Sequence, residues 1–142
     1  MEFRAALDAV FADDLAAGAT VSGPSRGRRF APANVLSDDY DRYWALPDGQ
    51  TTAMLMLELP EPRTFNRILL QEYIPLGQRI CGFTVEAWDG GAWTEIASGT
   101  TVGYKRILPV PETMASRLRI TIDDSFAVPV LSELGVYFDA AI

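Results

Sequence analysis

The sequence is organised by short segments in which apolar and polar side chains alternate. The clearest segment contains Phe83, Val85 and Ala87 separated by more polar neighbours, and this period of two predicts a half-buried β-strand. Asp-Gly-Gly follows at residues 89–91 and predicts a tight hairpin turn, because glycine accepts positive φ without steric cost. Residues 93–96 are expected to form the partner strand.

Further strands are predicted on both sides of this hairpin. Pro60 and Pro62 follow one alternating segment and are expected to end it, since proline lacks the N–H that a sheet ladder needs. About eight strands separated by frequent turns indicate an all-β fold, a single antiparallel β-sandwich of the jelly-roll type. The other alternating or apolar segments are residues 16–24, 53–59, 107–110, 117–122 and 128–138.

The first residues have a helical period instead. Phe3, Leu7 and Val10 lie on one apolar stripe, which predicts a short amphipathic N-terminal helix. This helix either packs on the sandwich or links it to a domain that precedes it. The sequence therefore predicts a linker helix at residues 1–15 and a β-sandwich domain at residues 16–142.

The composition narrows the classes of function. The 142 residues fit one domain, and a net charge of −7 disfavours nucleic acids and anionic membranes as partners. The apolar runs are shorter than a membrane span, and the single cysteine, Cys81, excludes an intrachain disulfide. Histidine is absent, which removes the commonest general base and zinc ligand. Glu72, Glu86 and Glu95 lack the spacing of a glycosidase pair, so we expect no catalysis by this chain.

Polar and cationic side chains recur where the predicted strands begin or end. Arginine and amide groups bind vicinal hydroxyls, and an aromatic ring covers the apolar face of a sugar, so a cluster of such residues would suit a saccharide. The alternative is a buried network in which Arg79 or Arg106 neutralises Glu72 and caps loop carbonyls. The candidate carbohydrate-binding residues are Gln71, Glu72, Arg79, Tyr104 and Arg106.

Two charged loops precede these strands. Arg26, Arg28 and Arg29 are expected to lie in a solvated loop that balances nearby acidic residues. Residues 37–41 crowd oxygen atoms of the kind that bind Ca²⁺, but they lack the glycine and the late glutamate of a calcium-binding helical hand, so a solvated turn is the other interpretation. Trp44 is expected to anchor this loop on the core, with an exposed sugar platform as the alternative.

Several parts of the chain resemble one known family. Residues 70–108, LQEYIPLGQRICGFTVEAWDGGAWTEIASGTTVGYKRIL, closely resemble the C-terminal β-sandwich of bacterial glycoside hydrolase family 29 α-L-fucosidases. That sandwich is a coagulation factor 5/8 type C, discoidin-like module of the galactose-binding-like group, related to carbohydrate-binding module family 32. Residues 30–45, FAPANVLSDDYDRYWA, resemble the asparagine-to-tryptophan loop of this group, and residues 129–138, PVLSELGVYF, resemble its closing strand. Residues 2–23 resemble the segment that leaves the catalytic barrel and enters the sandwich in these enzymes.

The resemblance implies a non-catalytic carbohydrate-binding module, because the catalytic residues of these fucosidases lie in the barrel. It implies galactose- or fucose-containing glycans as ligands, and the catalytic barrel of a bacterial periplasmic or secreted parent enzyme as partner. The five polar residues at the strand ends match residues typical of the fucosidase modules. The other hypothesis is a structural domain that packs on the barrel and stabilises it without binding sugar.

The resemblance also implies a structural Ca²⁺, which many relatives carry. Two positions depart from the family pattern: Ser37-Asp38 replaces the usual Asp-Gly, and Arg42 replaces a usual threonine. The guanidinium of Arg42 could place a positive charge where the metal would lie, so calcium and its replacement by arginine both stay open. The candidate calcium ligands are Ala33, Asn34, Asp39, Asp41 and Glu133, with the first two acting through backbone carbonyls.

Overall fold

The computed structural model describes residues 15–16, 18–36, 42–76, 78–103 and 106–138. The predicted linker helix at residues 1–15 lies outside these ranges except for Leu15. The backbone N–H of Leu15 donates a 2.8 Å hydrogen bond to the carbonyl of Val136, so the chain enters the domain beside its last strand.

Seven strands form within the described residues, and they confirm the predicted antiparallel β-sandwich. Three short 3₁₀ turns connect them. The strands are β1 (Thr20–Ser22), β2 (Trp44–Ala45), β3 (Ala53–Glu72), β4 (Ile80–Trp88), β5 (Trp93–Gly99), β6 (Arg106–Ser125) and β7 (Val130–Tyr137). The 3₁₀ turns are Arg28–Phe30, Pro32–Leu36 and Ile74–Leu76.

Two long bent strands, β3 and β6, each take part in both layers of the sandwich. The first part of β3 pairs with β1 and with the last part of β6, which continues through β4 to β5. The last part of β3 pairs with β7 and with the first part of β6, and β7 continues to β2. Each long strand therefore crosses from one layer to the other at its bend.

The expectation that Pro60 and Pro62 end a strand was wrong. The strand that contains them continues to Glu72, and the β3–β6 register instead shifts between Glu58 and Arg63. Both prolines lie in this interrupted part of the ladder, where their missing N–H removes no paired hydrogen bond. The prolines thus mark the bend between the layers and not the end of a strand.

Apolar side chains from both layers fill the space between them. On β3 the side chains of Leu55 and Leu57 are buried, whereas the side chain of Met54 faces solvent and is 42% exposed. This confirms the predicted alternation. Leu118 and Ile120 on β6 are also fully buried. Burying a side chain of this size contributes about 1.5–3 kcal/mol relative to leaving it in water, so this core carries most of the stability.

The strand ends divide the sandwich into a loop end and a hairpin end. The loop end contains the end of β3 at Glu72, the start of β4 at Ile80 and the start of β6 at Arg106. The hairpin end contains the β4–β5 turn at residues 89–92 and the bends of β3 and β6. No helical segment within the described ranges has the length and apolar character needed to cross a membrane.

Candidate functional site

Glu72 is the buried centre of the loop end. Its side chain has no exposed surface. One carboxylate oxygen, Oε1, accepts hydrogen bonds from the backbone N–H groups of Arg79 at 2.8 Å and Ile80 at 3.0 Å. The other oxygen, Oε2, accepts one from the N–H of Gly103 at 2.8 Å. Glu72 therefore ties the loops that precede β4 and β6 to the end of β3, and its carboxylate presents no surface to a ligand.

The side chain of Arg79 is held between two loops. Its Nε donates to the carbonyl of Leu76 at 3.1 Å, and its Nη1 donates to the carbonyl of Val128 at 2.9 Å. The residue is half-buried, and no hydrogen-bond partner for its Nη2 lies in the described part of the chain. The guanidinium is thus fixed by two carbonyls while one of its edges can still donate to a bound molecule.

Phe126 provides an exposed aromatic ring beside Arg79. Its backbone N–H donates a 3.1 Å hydrogen bond to the carbonyl of Arg79, and its side chain is 74% exposed. The backbone contact brings an exposed aromatic residue and an arginine, two residue types that bind saccharides, to the same end of the sandwich. The sequence analysis missed Phe126. The available signal was a lone aromatic residue in the Asp-Asp-Ser-Phe turn between two apolar strands.

The other predicted carbohydrate-binding residues share this end but differ in exposure. Gln71 is 3% exposed and its Nε2 donates to the Ser132 hydroxyl at 3.0 Å. Arg106 is half-exposed, and its Nη1 donates to the carbonyl of Thr101 at 2.9 Å. Tyr104 lies outside the described residues. The structure thus brings Gln71 and Glu72 into the interior and leaves the arginines at the surface.

The alternative of a buried network is confirmed in one respect and wrong in another. Arg79 and Arg106 do cap loop carbonyls, as that interpretation expected. Within the described ranges neither arginine forms an ion pair with Glu72, whose charge is stabilised by three backbone N–H donors instead. Backbone donors of this kind leave no side-chain pattern in a sequence.

Among the candidate calcium ligands, Asn34 is the best defined. Its side-chain amide donates to the carbonyls of Arg29 and Tyr43, both at 2.9 Å. Its Oδ1 faces Arg42, whose Nη2 lies 3.5 Å away. A Ca²⁺ ion at this amide oxygen would require the guanidinium to move, because two cations repel each other at such a distance.

The remaining candidate ligands give no further support to a metal site. Ala33 is exposed, Glu133 is half-buried on β7, and Asp39 and Asp41 lie outside the described residues. Within the described ranges no three acidic or cysteine side chains are grouped closely enough to hold a metal ion. Calcium therefore stays a prediction.

Trp44 has the anchoring role that the sequence predicted. It is fully buried, and its indole Nε1 donates a 2.7 Å hydrogen bond to the carbonyl of Pro24. The alternative of an exposed sugar platform at Trp44 was wrong, because the ring has no accessible surface. Its neighbour Tyr43 stacks on Tyr73 with ring centroids 4.3 Å apart.

Comparison with known proteins identifies the family. The F5/8 type C domain profile matches residues 18–132. Alpha-L-fucosidase 1 of Arabidopsis thaliana is 36% identical over 145 residues, which cover 97% of this chain and 29% of the relative. A Ruminococcus gnavus GH29 fucosidase, solved in complex with fucose, is 34% identical with a TM-score of 0.90 over 99% of this chain and 29% of the other.

A smaller neighbour shares the fold alone. The family 32 carbohydrate-binding module of NanJ from C. perfringens, solved with galactose, has a TM-score of 0.77 at 17% identity. It covers 87% of this chain, and the match covers 96% of that module. The two chains therefore share the sandwich fold over nearly the whole of that module.

The size of the chain separates it from the catalytic part of its relatives. It spans only about 29% of the length of the Arabidopsis fucosidase. A catalytic (β/α)₈ barrel needs about 250 residues, so 142 residues that already form a sandwich cannot contain one. The profile match and the fucosidase relatives together show that this chain, a module without the catalytic barrel, belongs to the F5/8 type C domain family.

Proposed function

We propose that this chain is a non-catalytic carbohydrate-binding module of an α-L-fucosidase and that it recognises galactose- or fucose-containing glycans. The observation that carries this proposal is the pairing of Arg79 with Phe126 at the loop end. Phe126 is 74% exposed and lies in hydrogen-bond contact with the backbone of Arg79. The fucosidase relatives supply the class of enzyme, and the fold neighbour with galactose supports a sugar as ligand.

The chemistry of the pair suits a neutral sugar. The free edge of the Arg79 guanidinium can donate to hydroxyl oxygens, while the ring of Phe126 covers the apolar C–H face of a pyranose. The guanidinium is already held by the carbonyls of Leu76 and Val128, so little side-chain entropy is lost on binding. A small, exposed site of this kind predicts weak binding, with a dissociation constant of about 1 mM.

Amide chemical shifts of the domain during sugar titrations test the proposal. The ligands are fucose, galactose, N-acetyllactosamine and a fucosylated oligosaccharide, each with and without calcium. We expect saturable shifts confined to the loops around residues 76–79 and 126–128. Phe126→Ala should abolish these shifts, while Met114→Ala, which removes a residue that is 71% exposed at the hairpin end, should leave them unchanged. Flat spectra from a folded wild-type domain would refute sugar binding.

The alternative proposal is a structural domain that packs on the catalytic barrel. The observation that favours it is an open groove of about 410 Å³ at the hairpin end, beside the exposed side chain of Met114. Pro62, Trp88 and Arg117 also line this groove. Removing the module from the full enzyme should then lower its melting temperature and change its activity on small substrates. An unchanged melting temperature and activity would count against this alternative.

A further inference from the structure

A pocket with a different chemistry lies beside the asparagine-to-tryptophan loop. Its volume is about 380 Å³, within the range of about 300–1,000 Å³ that is typical of small-molecule sites. The described residues that line it are three arginines and two aromatic residues: Arg28, Arg29, Phe30, Arg42 and Tyr43. None of these residues belongs to the Arg79–Phe126 pair, so the pocket is a separate candidate site.

The pocket concentrates positive charge on an acidic protein. The chain carries a net charge of −7 with 12 lysines and arginines in total, yet three of the arginines line this one pocket. Within the described ranges no carboxylate lies at ion-pair distance from Arg28, Arg29 or Arg42. Arg26 nearby differs, because it is paired with Asp48 at 3.0 Å. Among the described residues, then, the three arginines of the pocket have no carboxylate partner.

The walls of the pocket are held in place before any ligand arrives. The side-chain amide of Asn34 donates to the carbonyls of Arg29 and Tyr43, two residues that line the pocket. The ring of Tyr43 lies 5.4 Å from that of Phe30 and stacks on Tyr73 at 4.3 Å. A pocket fixed by hydrogen bonds and ring stacking needs little ordering on binding, which favours affinity.

We propose that this pocket binds the anionic group of an acidic saccharide, either a sulfate ester or a carboxylate. The arginines would donate charge-assisted hydrogen bonds to the anionic oxygens, and the faces of Phe30 and Tyr43 would cover the sugar ring. A long polyanion such as nucleic acid is disfavoured, because the rest of the acidic surface repels it while the pocket has room for one anionic unit. This inference rests on the proposed function, because it takes the ligand to be a glycan. It adds a second binding site and a preference for sugars that carry a negative charge.

Calorimetric titration of the full chain with matched sugars tests this inference. The ligands are galactose, galactose 6-sulfate, galacturonic acid and inorganic sulfate, each at low and at 0.5 M sodium chloride. We expect the acidic sugars to bind at least tenfold more tightly than galactose at low salt, with the difference reduced at high salt by screening. The ratio of affinities for the sulfated and the carboxylated sugar then names the preferred anion.

Charge-removing variants locate the site. Arg28→Gln changes an exposed side chain, so it should leave the fold intact and weaken binding of the acidic sugar about tenfold. Arg42→Gln should have a similar effect. Arg63→Gln is the matched control, because Arg63 is an exposed arginine on the bend of β3, where it pairs with Glu61. None of these substitutions should alter the shifts that neutral galactose causes around Phe126.

The possible results separate this inference from the proposed function. Neutral sugar binding at Phe126 without a preference for acidic sugars would overturn the inference and leave the proposed function standing. Tighter binding of acidic sugars that survives Arg28→Gln and Arg42→Gln would also overturn it, since the anion would then bind elsewhere. Absence of any sugar binding would overturn both proposals.

Discussion

The carboxylate of Glu72 accepts a 2.8 Å hydrogen bond from the backbone N–H of Gly103, a residue 31 positions further along the chain. The backbone N–H of Glu72 also donates to the carbonyl of Gly103 at 2.9 Å. These two bonds clamp the loop that leads into β6 onto the end of β3. The positions of Arg79 and Arg106 at the surface depend on this clamp, because both residues follow loops that Glu72 holds.

Replacing Glu72 should therefore destabilise the whole domain. Glu72→Ala would leave three backbone N–H groups without their acceptor, two of them buried, and each buried unsatisfied donor costs about 1–3 kcal/mol. We expect the free energy of unfolding in urea to fall by about 3 kcal/mol or more. Glu95→Ala, on an exposed position of β5, should change it by less than about 0.5 kcal/mol. Equal effects of the two substitutions would contradict the role of Glu72.

Gly103 should tolerate no side chain without a loss of stability. Its φ is +66°, a backbone conformation that costs an L-residue about 1–2 kcal/mol. An added Cβ would also lie 2.8 Å from the side-chain amide of Gln78, which is exposed and can move aside. We expect Gly103→Ala to lower the free energy of unfolding by about 1–2 kcal/mol through backbone strain. Gly103→Ala in a Gln78→Ala background should cost the same, and a full rescue would assign the cost to the contact instead.

Glu86 on β4 and Arg119 on β6 form an ion pair that should stabilise the pairing of these two strands. Arg119 donates to both carboxylate oxygens of Glu86 at 2.9 Å, and its guanidinium lies 4.4 Å from the ring centroid of Trp93. The hydrogen bonds from Arg119 to Glu86 raise the pKa of Arg119, so the stability that its charge contributes is present at neutral pH and is lost as the pH rises through the strongly alkaline range. We expect Glu86→Gln to lower the melting temperature, and less so at 1 M salt. A loss that does not depend on salt would argue for packing as its cause.

Asp89 should make the stability of the hairpin depend on pH in the acid range. Hydrogen bonds from the backbone N–H groups of Gly91 and Ala92 lower the pKa of Asp89 below its ordinary value of 3.8. A carboxyl whose pKa is lowered by folding stabilises the protein above 3.8 and loses this effect as the pH falls through the folded pKa. At pH 7 the Asp89→Ala variant should thus have a lower melting temperature than the wild type. This difference in melting temperature should narrow as the pH falls below 3.8. A gap that is constant down to pH 2.5 would contradict the assignment.

Arg42 and calcium should compete for the space beside Asn34. The guanidinium of Arg42 lies 3.5 Å from Oδ1 of Asn34, so a metal ion that binds next to this residue would be repelled by the positive charge of the arginine until the arginine has moved. We expect Arg42→Thr to gain thermal stability when calcium is added, by about 2.7 kcal/mol at a calcium concentration 100 times the dissociation constant. The wild-type domain should respond less to calcium or to its removal with EDTA. An equal response of both proteins would show that Arg42 does not occupy the metal position.

The local sequence was sufficient to tell which side chains of a strand face the core. Alternation placed Leu55, Leu57, Leu118 and Ile120 in the core, and the Asp-Gly-Gly turn joined β4 to β5, because side-chain direction in a strand depends only on neighbouring residues. The same local view failed at Pro60 and Pro62. A proline ends a strand only where the neighbouring strand would accept a hydrogen bond from the N–H that proline lacks. At Pro60 and Pro62 the register between β3 and β6 decides this, and a local pattern does not show that register.

The functional site could be predicted only in outline. The sequence assembled the loop end by placing polar residues at strand ends, and it named Arg79. The sequence could not show that Glu72 is fully buried, because the groups that stabilise its carboxylate are backbone N–H groups of residues up to 31 positions away. It also missed Phe126, since the exposure of a lone aromatic residue in a turn depends on which loops surround it.

The sequence by itself therefore determined the class of fold, the positions of most strands and the acidic character of the surface, all of which follow from composition and from contacts between near neighbours. The tertiary structure decided which polar residues brace the interior and which face a ligand. It also decided that three arginines and two rings from separate segments share one pocket. Those relationships depend on long-range packing, and no local pattern encodes which distant loops will meet.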